Sequence, residues 1–560
     1  MLRKIFLIVL VSALPVIIHA QDIDEVFGDR NEVYFTFKAE SRTQVNRLSS
    51  IISIDRVTPR LQVFAYANRR ELAAFRQLGI EFRILPHPGT LINPFMRDEV
   101  DIRNIAAWDF YPTYDAYVDM MYQYEADFPD LCEVISIGYT YEERELLVMR
   151  ITDNVGQQEG EPEFLYSSSI HGDETTGYVL MLRLIDYLLT EYDNNPRITS
   201  MVDGMDIYIC PLANPDGSYN AGNSNIYGAT RYNAHGVDLN RNYPDPEDGP
   251  HPDGNPWQIE TINFMNFAEE HSFVSGANIH GGAEVLNYPW DTWPDLAADN
   301  DWWVYVCREY ADTVHLHAPS DYLTGFENGI TNGYQWYTIA GGRQDYMNYF
   351  QQCREFTLEI SDVKLLPASQ LPALWEYNYR SFLNYIEQAM FGVRGKITDS
   401  ATGEALKAEV FVLNHEEDSS WVYSTDHSGN YHRLLYEGTY DIKYSKTGYL
   451  PQTFNDVEVD NRTATVIDVE LVKAFSSVDE LDEIQFNIYP NPAIGNFTRI
   501  SSPVKPLSIS VFDMEGRSVS NVEVNGPDDL YLDISDLKPG TYIIAIRHED
   551  GVSRKKLIRQ

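Results

Sequence analysis

The sequence predicts a central α/β domain, a sheet with helices on both faces, preceded by a small α+β domain and followed by two β-sandwich domains. Three observations predict it. Between residues ~106 and 390, amphipathic helical runs alternate with short apolar strand runs, the pattern of a sheet covered on both sides. From Gly392 onward the chain changes to short β runs punctuated by turn residues, which is a sandwich signature. A length of 560 residues exceeds what one hydrophobic core sustains.

The elements follow in chain order. Arg3 and Lys4, an apolar run from Ile5 to Ile18 and the ending Ile18-His19-Ala20 have the layout of an export signal, residues 1–20, removed from the mature protein. No later run reaches the ~18 apolar residues of a membrane span, so no transmembrane segment is expected. Residues 21–105 carry strand-like runs at Val33–Phe37, Leu61–Ala65 and Glu81–Leu85, with a helical pattern at Arg69–Leu78 and turn signals at Pro86 and Pro88-Gly89. They read as an α+β domain and its linker. Within 106–390, Tyr114–Phe128 and Gly177–Tyr192 read as helices. Leu146–Ile151, Glu163–Ser168, Met205–Cys210, Gly276–His280 and Glu355–Ile360 read as strands. Such sheets bind ligands at the C-terminal ends of their strands. Gly392–Thr398, Ala408–Leu413 and Gly438–Lys443 are β runs of a domain spanning 391–473. Residues 474–483 are a polar, acidic linker, and 484–560 form the last β domain.

Composition is that of a globular protein, with 44% hydrophobic and 22% charged residues. The formal net charge of -42 repels a phosphate backbone, so no nucleic-acid partner is expected. The same charge serves either as a solubility surface or as a field that draws in cationic substrates. Cys132, Cys210, Cys307 and Cys353 allow three pairings and are too scattered for a zinc cluster. They are equally well read as small buried hydrophobes.

The chemistry begins at Ser169-Ile170-His171-Gly172-Asp173-Glu174-Thr175. A His and a Glu three positions apart, where a strand gives way to a helix, present imidazole nitrogen and carboxylate oxygen to one ion. A catalytic zinc takes three protein ligands, and His280 in Asn278-Ile279-His280-Gly281-Gly282 follows another strand. No His-Glu-x-x-His helix is present. Further signals come in order: Asn214-Pro215-Asp216-Gly217, the run Arg231 to Pro244, Gln335-Trp336-Tyr337, Gly341 to Asp345, and Glu355 to Ser361 with Glu359 inside an apolar strand.

With these motifs in this order, residues ~108–390 resemble the metallocarboxypeptidases of the carboxypeptidase A/B superfamily, on the branch of carboxypeptidases D, E, M and N. The resemblance implies a mixed sheet and one zinc ion held by His171, Glu174 and His280. It implies Glu359 as general base and Arg231 as the group polarising the scissile carbonyl. Asn240 and Arg241 would grip the substrate's terminal carboxylate, and Tyr337 would close over it. The residue types suit the chemistry independently. Zinc brings the pKa of water that it binds to about 7. A nearby carboxylate relays protons. A fixed guanidinium stabilises an oxyanion, and an Arg fork recognises a free carboxylate, which an endopeptidase would not need.

Relatives preferring Arg or Lys place an acid and a glutamine in the side-chain pocket. Those positions fall on Asp291 and Gln344, which predicts peptide or protein C-termini ending in Arg or Lys as partners. Glu284 and Arg343 depart from the apolar residues usual there. His235, His271, His315 and His317 match no motif and are expected to be structural or surface residues. Residues 21–105 resemble the prodomain ahead of many secreted peptidases, and 391–473 the transthyretin-like, regulatory-like domain of the same branch. Residues 484–560 resemble the sorting domain of the type IX secretion system, through Tyr489-Pro490-Asn491-Pro492, Val511 to Arg517, Leu537 to Tyr542 and Lys555-Lys556-Leu557. That implies a Bacteroidetes-type bacterium, passage through the periplasm in contact with that machinery, and a secreted or cell-surface location. Two other readings are a carboxypeptidase of different specificity, such as one acting on cell-wall peptides, and a non-catalytic surface binding protein of carboxypeptidase descent.

Overall fold

The computed structural model describes Phe27, residues 30–474 and residues 486–560 apart from 504, 515, 525–528 and 549–550. The expected export signal and residues 475–483 of the expected linker lie outside the described residues. The chain divides into two compact units, Met1–Val472 and Lys473–Gln560.

The first unit opens with β1 (Glu32–Lys38), α1 (Arg42–Leu48), β2 (Ser53–Val57), β3 (Gln62–Asn68), α2 (Arg69–Gln77) and β4 (Phe82–Ile84), in the sheet order β2-β3-β1-β4. This is a ferredoxin-like βαββαβ unit. Its second helix starts where the sequence pattern predicts, because Asn68 and Glu71 form a reciprocal capping box. Phe35, Phe37, Leu72 and Phe75 bury its centre, and the same apolar cluster continues into Ala283, Val285, Trp336, Tyr337 and Ile339.

The central sheet comprises β5 (Cys132–Tyr139), β6 (Glu145–Ile151), β7 (Glu163–Ser168), β8 (Asp206–Cys210), β9 (Phe273–His280), β10 (Ala283–Tyr288), β11 (Ile330–Asn332) and β12 (Arg354–Ser361). Its order is β11-β10-β12-β9-β7-β8-β6-β5. The four middle strands β12, β9, β7 and β8 run parallel, and antiparallel pairs flank them. The period-2 alternation of a strand sorts its side chains between two cores. Leu147, Met149, Phe164, Tyr166, Ile207 and Ile209 face one side, which α3 (Tyr114–Asp127), α4 (Thr176–Glu191), α6 (Asn300–His315) and α8 (Leu371–Gln388) cover. Val148, Leu165, Tyr208 and Cys210 face the other, under α5 (Ile259–Glu270) and α7 (Arg343–Phe350). All four cysteines are free and buried.

Two small sheets follow. One is built on β13 (Gly392–Asp399), the other on β14 (Glu409–Val412) and β17 (Gly438–Ser445), and Val393, Val410, Ile442, Tyr444 and Leu471 fill the space between them. The second unit is likewise a pair of antiparallel sheets of three and four strands, closed over Ile488, Ile500, Val511, Leu532, Ile544 and Leu557.

Charge as well as apolar surface joins the central domain to these two small sheets. The Asp299 carboxylate, at the start of α6, accepts from Arg433 at 2.8 Å, Arg354 at 2.7 Å and His415 Nε2 at 2.9 Å, while Arg433 also reaches Glu416 at 2.9 Å. Burial opposes ionisation of Asp299, but the Arg433 and Arg354 guanidiniums outweigh it and hold the carboxyl far below the usual range. Removing one member of such a buried network leaves the others uncompensated, at about 3–5 kcal/mol. Arg433→Met should therefore lower the denaturant midpoint of the first unit by a corresponding amount. A midpoint equal to that of the unaltered chain would mean that solvent already screens the cluster.

Candidate active site

Three adjacent parallel strands bring the predicted ligands and Glu359 to one place. His171 and Glu174 lie in the turn between β7 and α4, which Ser169 enters with φ of 58°. His280 is the last residue of β9, and Glu359 stands directly beside it on β12. His171 Nδ1 is 3.0 Å from Glu174 Oε1 and 3.1 Å from His280 Nδ1, which is 2.9 Å from Glu174 Oε2. Both histidines and Glu174 are buried. The two imidazole nitrogens and both Glu174 oxygens converge on one point, and two imidazoles with one carboxylate are a zinc donor set. Burial lowers His280 to about 4, so its ring is a neutral donor at ordinary pH. His171 donates its other nitrogen, Nε2, to Asp238 Oδ1 at 3.1 Å, which leaves Nδ1 as the ligating atom. These residues fit a zinc ion.

Asp238 organises the rest of that wall. Besides His171 it holds Arg231 Nε at 2.9 Å and the Asn240 main-chain N–H at 2.9 Å. Arg231 thereby stands 3.4 Å from Glu174. Arg241 is buried, yet its Nε and Nη2 have no hydrogen-bond partner among the described residues. Leaving a buried guanidinium unpaired is costly, and the group it suits is a carboxylate. Glu359 Oε2 is similarly buried and unpartnered. Burial first, and then the Glu174 carboxylate, push the Glu359 carboxyl well above its usual range.

Asn240, Arg241, Tyr337, Asp291 and Glu359 line one small cavity with the three ligand residues. Asp291 accepts from Asn287 Nδ2 at 3.0 Å. Gln344 accepts the Thr357 N–H through Oε1 at 2.8 Å, and its Nε2 is buried without a partner among the described residues. Gly333 makes room for Asp291: a Cβ there would meet Asp291 Oδ1 at 1.7 Å. The departure at Arg343 is resolved by geometry. Its guanidinium pairs with Glu355 at 2.8 Å, bonds Ser167 and lies over the Phe264 ring, so it does not neutralise Asp291. Glu284 likewise serves the fold, accepting the Leu323 N–H at 3.0 Å. The unmatched histidines lie elsewhere: His271 pairs with Glu163, His235 stacks on Tyr141, and His315 bonds the Leu323 carbonyl.

Several partners were not singled out from the sequence. Lys364 Nζ donates to Glu174 Oε1 at 2.5 Å and lies 2.8 Å from Asp55 Oδ1. Asp238 stood inside the Arg231–Pro244 motif, where an acid amid site residues was the available signal. Asp55 had none, because only docking of the N-terminal domain brings it here. That docking is extensive. Ser53 donates to Asp238 Oδ2 at 2.6 Å, and the Tyr337 hydroxyl donates to the Ile54 carbonyl at 3.2 Å. Tyr66 donates to Asp173 at 2.5 Å. Glu32 accepts the main-chain N–H groups of Arg231 at 2.7 Å and Tyr232 at 2.8 Å. His87 Nδ1 accepts from Gly89 N, so the Nε2 proton goes to Glu32 at 2.7 Å. That ring has no lone pair left for a cation, and the Glu32–His87–Asp173 group is a hydrogen-bonded seam. With the N-terminal domain in place the cavity measures about 20 Å³ and Asp55 forms part of its wall. That is room for about one water.

Residues 117–381 match the family model described as zinc carboxypeptidase, 392–472 the carboxypeptidase regulatory-like domain, and 487–560 the secretion system C-terminal sorting domain. Carboxypeptidase D of Anas platyrhynchos is 36% identical over 383 residues, covering 64% of this chain; the aligned part spans only 26% of that longer protein. Carboxypeptidase M of Mus musculus is 33% identical, covering 62% of this chain and 80% of its own length. The human carboxypeptidase N catalytic chain is 33% identical, covering 65% and 86%. A carboxypeptidase A structure from Helicoverpa armigera shares the fold at 17% identity with a TM-score of 0.50, covering 64% of this chain and 97% of that one. The chain belongs to the zinc carboxypeptidase family.

Proposed function

We propose that this protein is a secreted, zinc-dependent metallocarboxypeptidase that releases C-terminal Arg or Lys, held closed by its N-terminal domain. The observation that carries the reading is the buried Arg241 fork, unpaired at Nε and Nη2, beside the ligand triad: it calls for a carboxylate, which a peptide's chain terminus supplies. The sorting-domain match at 487–560 supports export through type IX machinery. Among the described residues no helix is long and apolar enough to cross a membrane.

A zinc ion on His171, Glu174 and His280 supplies a positive field that acidifies water and polarises a carbonyl. The protein's own groups do the rest. Arg241 and Asn240 bind the terminal carboxylate and set the register of the scissile bond. Arg231, oriented by Asp238, stabilises negative charge as it grows on the carbonyl oxygen. Glu359 takes a proton from the attacking water and hands it to the amine as the C–N bond breaks. Tyr337 closes over the substrate once its hydroxyl leaves the Ile54 carbonyl. Asp291 receives the cationic side chain, with Gln344 beside it.

A cavity of about 20 Å³ admits no peptide, so strand β2 must withdraw before substrate enters. The intact chain is expected to turn over peptides ending in Arg slowly, and a chain cut in the 86–107 linker to do so faster, with a chelator abolishing both rates. Equal rates before and after the cut would refute closure by the N-terminal domain. Release of Leu or Phe in preference to Arg would remove the assigned specificity while leaving the peptidase.

Glu359→Gln should retain zinc and lose roughly 10²–10⁴ in turnover, whereas Glu174→Gln should lose the metal itself, as read by elemental analysis. Retention of activity by Glu359→Gln would show that another group relays the proton.

Burial raises the Asp291 carboxyl to about 6. Below that pH the pocket floor is neutral, and above it the floor is anionic. The ratio of kcat/KM for Arg-ended over Leu-ended peptides should therefore rise with pH through about 6. A ratio that stays flat from about pH 5 to about pH 8 would discharge Asp291 from the role.

A further inference from the structure

Helix α7 ties the two halves of the candidate substrate site together, and its third residue has no part in the chemistry described above. Asp345 is 1% exposed. Its carboxylate accepts the main-chain N–H of Asp291 through both oxygens at 3.1 Å, and that of Thr292 through Oδ2 at 2.8 Å. The two residues before it work on neighbouring walls. The Arg343 N–H donates to Asn240 Oδ1 at 2.8 Å, and Gln344 is pinned to β12 through the Thr357 N–H. One helix end therefore holds the loop of Asn240 through residue 343, is tied to β12 through Gln344 and clamps the loop of Asp291 through 345.

This arrangement fixes a distance that a basic C-terminal residue must match. Its α-carboxylate has to reach Asn240 and Arg241 while its side-chain cation reaches Asp291. Asp291 meets few other constraints: Asn287 Nδ2 on its carboxylate, the Ile339 N–H on its carbonyl at 3.3 Å, and the space left by Gly333. Asp245 steadies the same turn from the other side, accepting from the Thr292 hydroxyl at 3.2 Å and the Gly341 N–H at 2.9 Å. It does not touch the Asp291 backbone. A carboxylate gripping two successive N–H groups sets the rotation of the peptide planes on both sides of one of them, and so the direction of the side chain between them. Charged recognition is sensitive to such direction, because a bidentate pairing needs both oxygens in place, and misplacement by about 1 Å can cost ~10²-fold.

We propose that Asp345 is a positioning residue for substrate discrimination: by holding the main-chain N–H groups of Asp291 and Thr292, it aims the Asp291 carboxylate at the cationic side chain of the terminal residue. The inference rests on the reading of Asp291 as the pocket acid. A residue with a general structural role would, when changed, slow all substrates alike. Asp345 instead acts on a pocket that only the terminal side chain enters, so its loss falls on the KM of basic substrates.

The test compares matched peptides ending in Arg and in Leu, using the zinc-loaded full chain, intact or cut in the linker, whichever turns over faster. Asp345→Asn keeps one acceptor and puts an amide N–H against an N–H. It should raise KM for the Arg peptide about tenfold, with kcat nearly unchanged and Leu kinetics within about threefold of wild type. Asp345→Glu, which keeps both acceptor oxygens, should fall between the two. If the Asn variant does not fold, the Glu variant alone decides, by a lowered or unchanged Arg-to-Leu ratio. Equal losses on both peptides, or no change on either, would overturn the positioning role. Asp291→Asn, run in parallel, separates the two claims. Loss of Arg preference there, together with an intact preference in the Asp345 variants, keeps the pocket acid and rejects Asp345. A wild type that does not favour Arg rejects the pocket reading itself.

Discussion

Asp238 is the group on which the other site residues depend, because its one carboxylate serves His171, Arg231, Asn240 and Ser53 at once. Burial opposes its charge, but Arg231 and His171 hold it ionised, well below the ordinary carboxylate range. A buried anion of this kind is tolerable only while its partners stay in position. It therefore fixes the tautomer of the His171 imidazole and the direction of the Arg231 guanidinium. The proposed zinc ligand and the proposed oxyanion-stabilising group share one support.

The same need for charge compensation explains how the N-terminal domain docks. Asp55 finds Lys364, Glu32 finds the N–H groups beside Arg231, and Tyr66 finds Asp173. These polar contacts ring an apolar seam in which Phe35 and Phe75 share a cluster with Trp336 and Tyr337. The apolar part gives adhesion, and the charged part gives register, since each buried group accepts only one alignment. A domain attached in this way lies over the candidate site, with Ser53, Ile54 and Asp55 of β2 against its walls. At the opposite side of the central domain, Asp299 does comparable work for the regulatory-like domain, with the signs of the charges arranged around one acid and two arginines.

The sequence carried the fold well because its signals are local. Alternation within β6, β7 and β8 sorts residues to two faces whatever lies beyond them, and the Asn68–Glu71 box starts its helix through contacts three residues apart. The convergence of the candidate triad was legible for a similar reason: His171 and Glu174 are neighbours in one turn, and His280 and Glu359 pair across adjacent parallel strands. Arg343 was not legible. Beside Gln344 in sequence it looks like a charge at the pocket, and only the path of α7 turns its side chain away, toward Glu355 and Phe264.

By itself, then, the sequence determined the fold class and the family, and it singled out His171, Glu174, His280 and Arg241 as candidates that the fold brings to one cavity, since these rest on residue types at short spacings or in a recognisable order. Tertiary structure alone decided that Asp55 of β2 walls the cavity, that Lys364 bonds Glu174 and Asp238 bonds His171, and that Asp345 clamps the loop of Asp291. Those contacts join residues separated by 54 positions at Asp345 and by 283 at Tyr337 and Ile54. No local pattern encodes which buried charge will meet which partner, because that is settled only when the domains close and each ionised group must find its counterpart out of water.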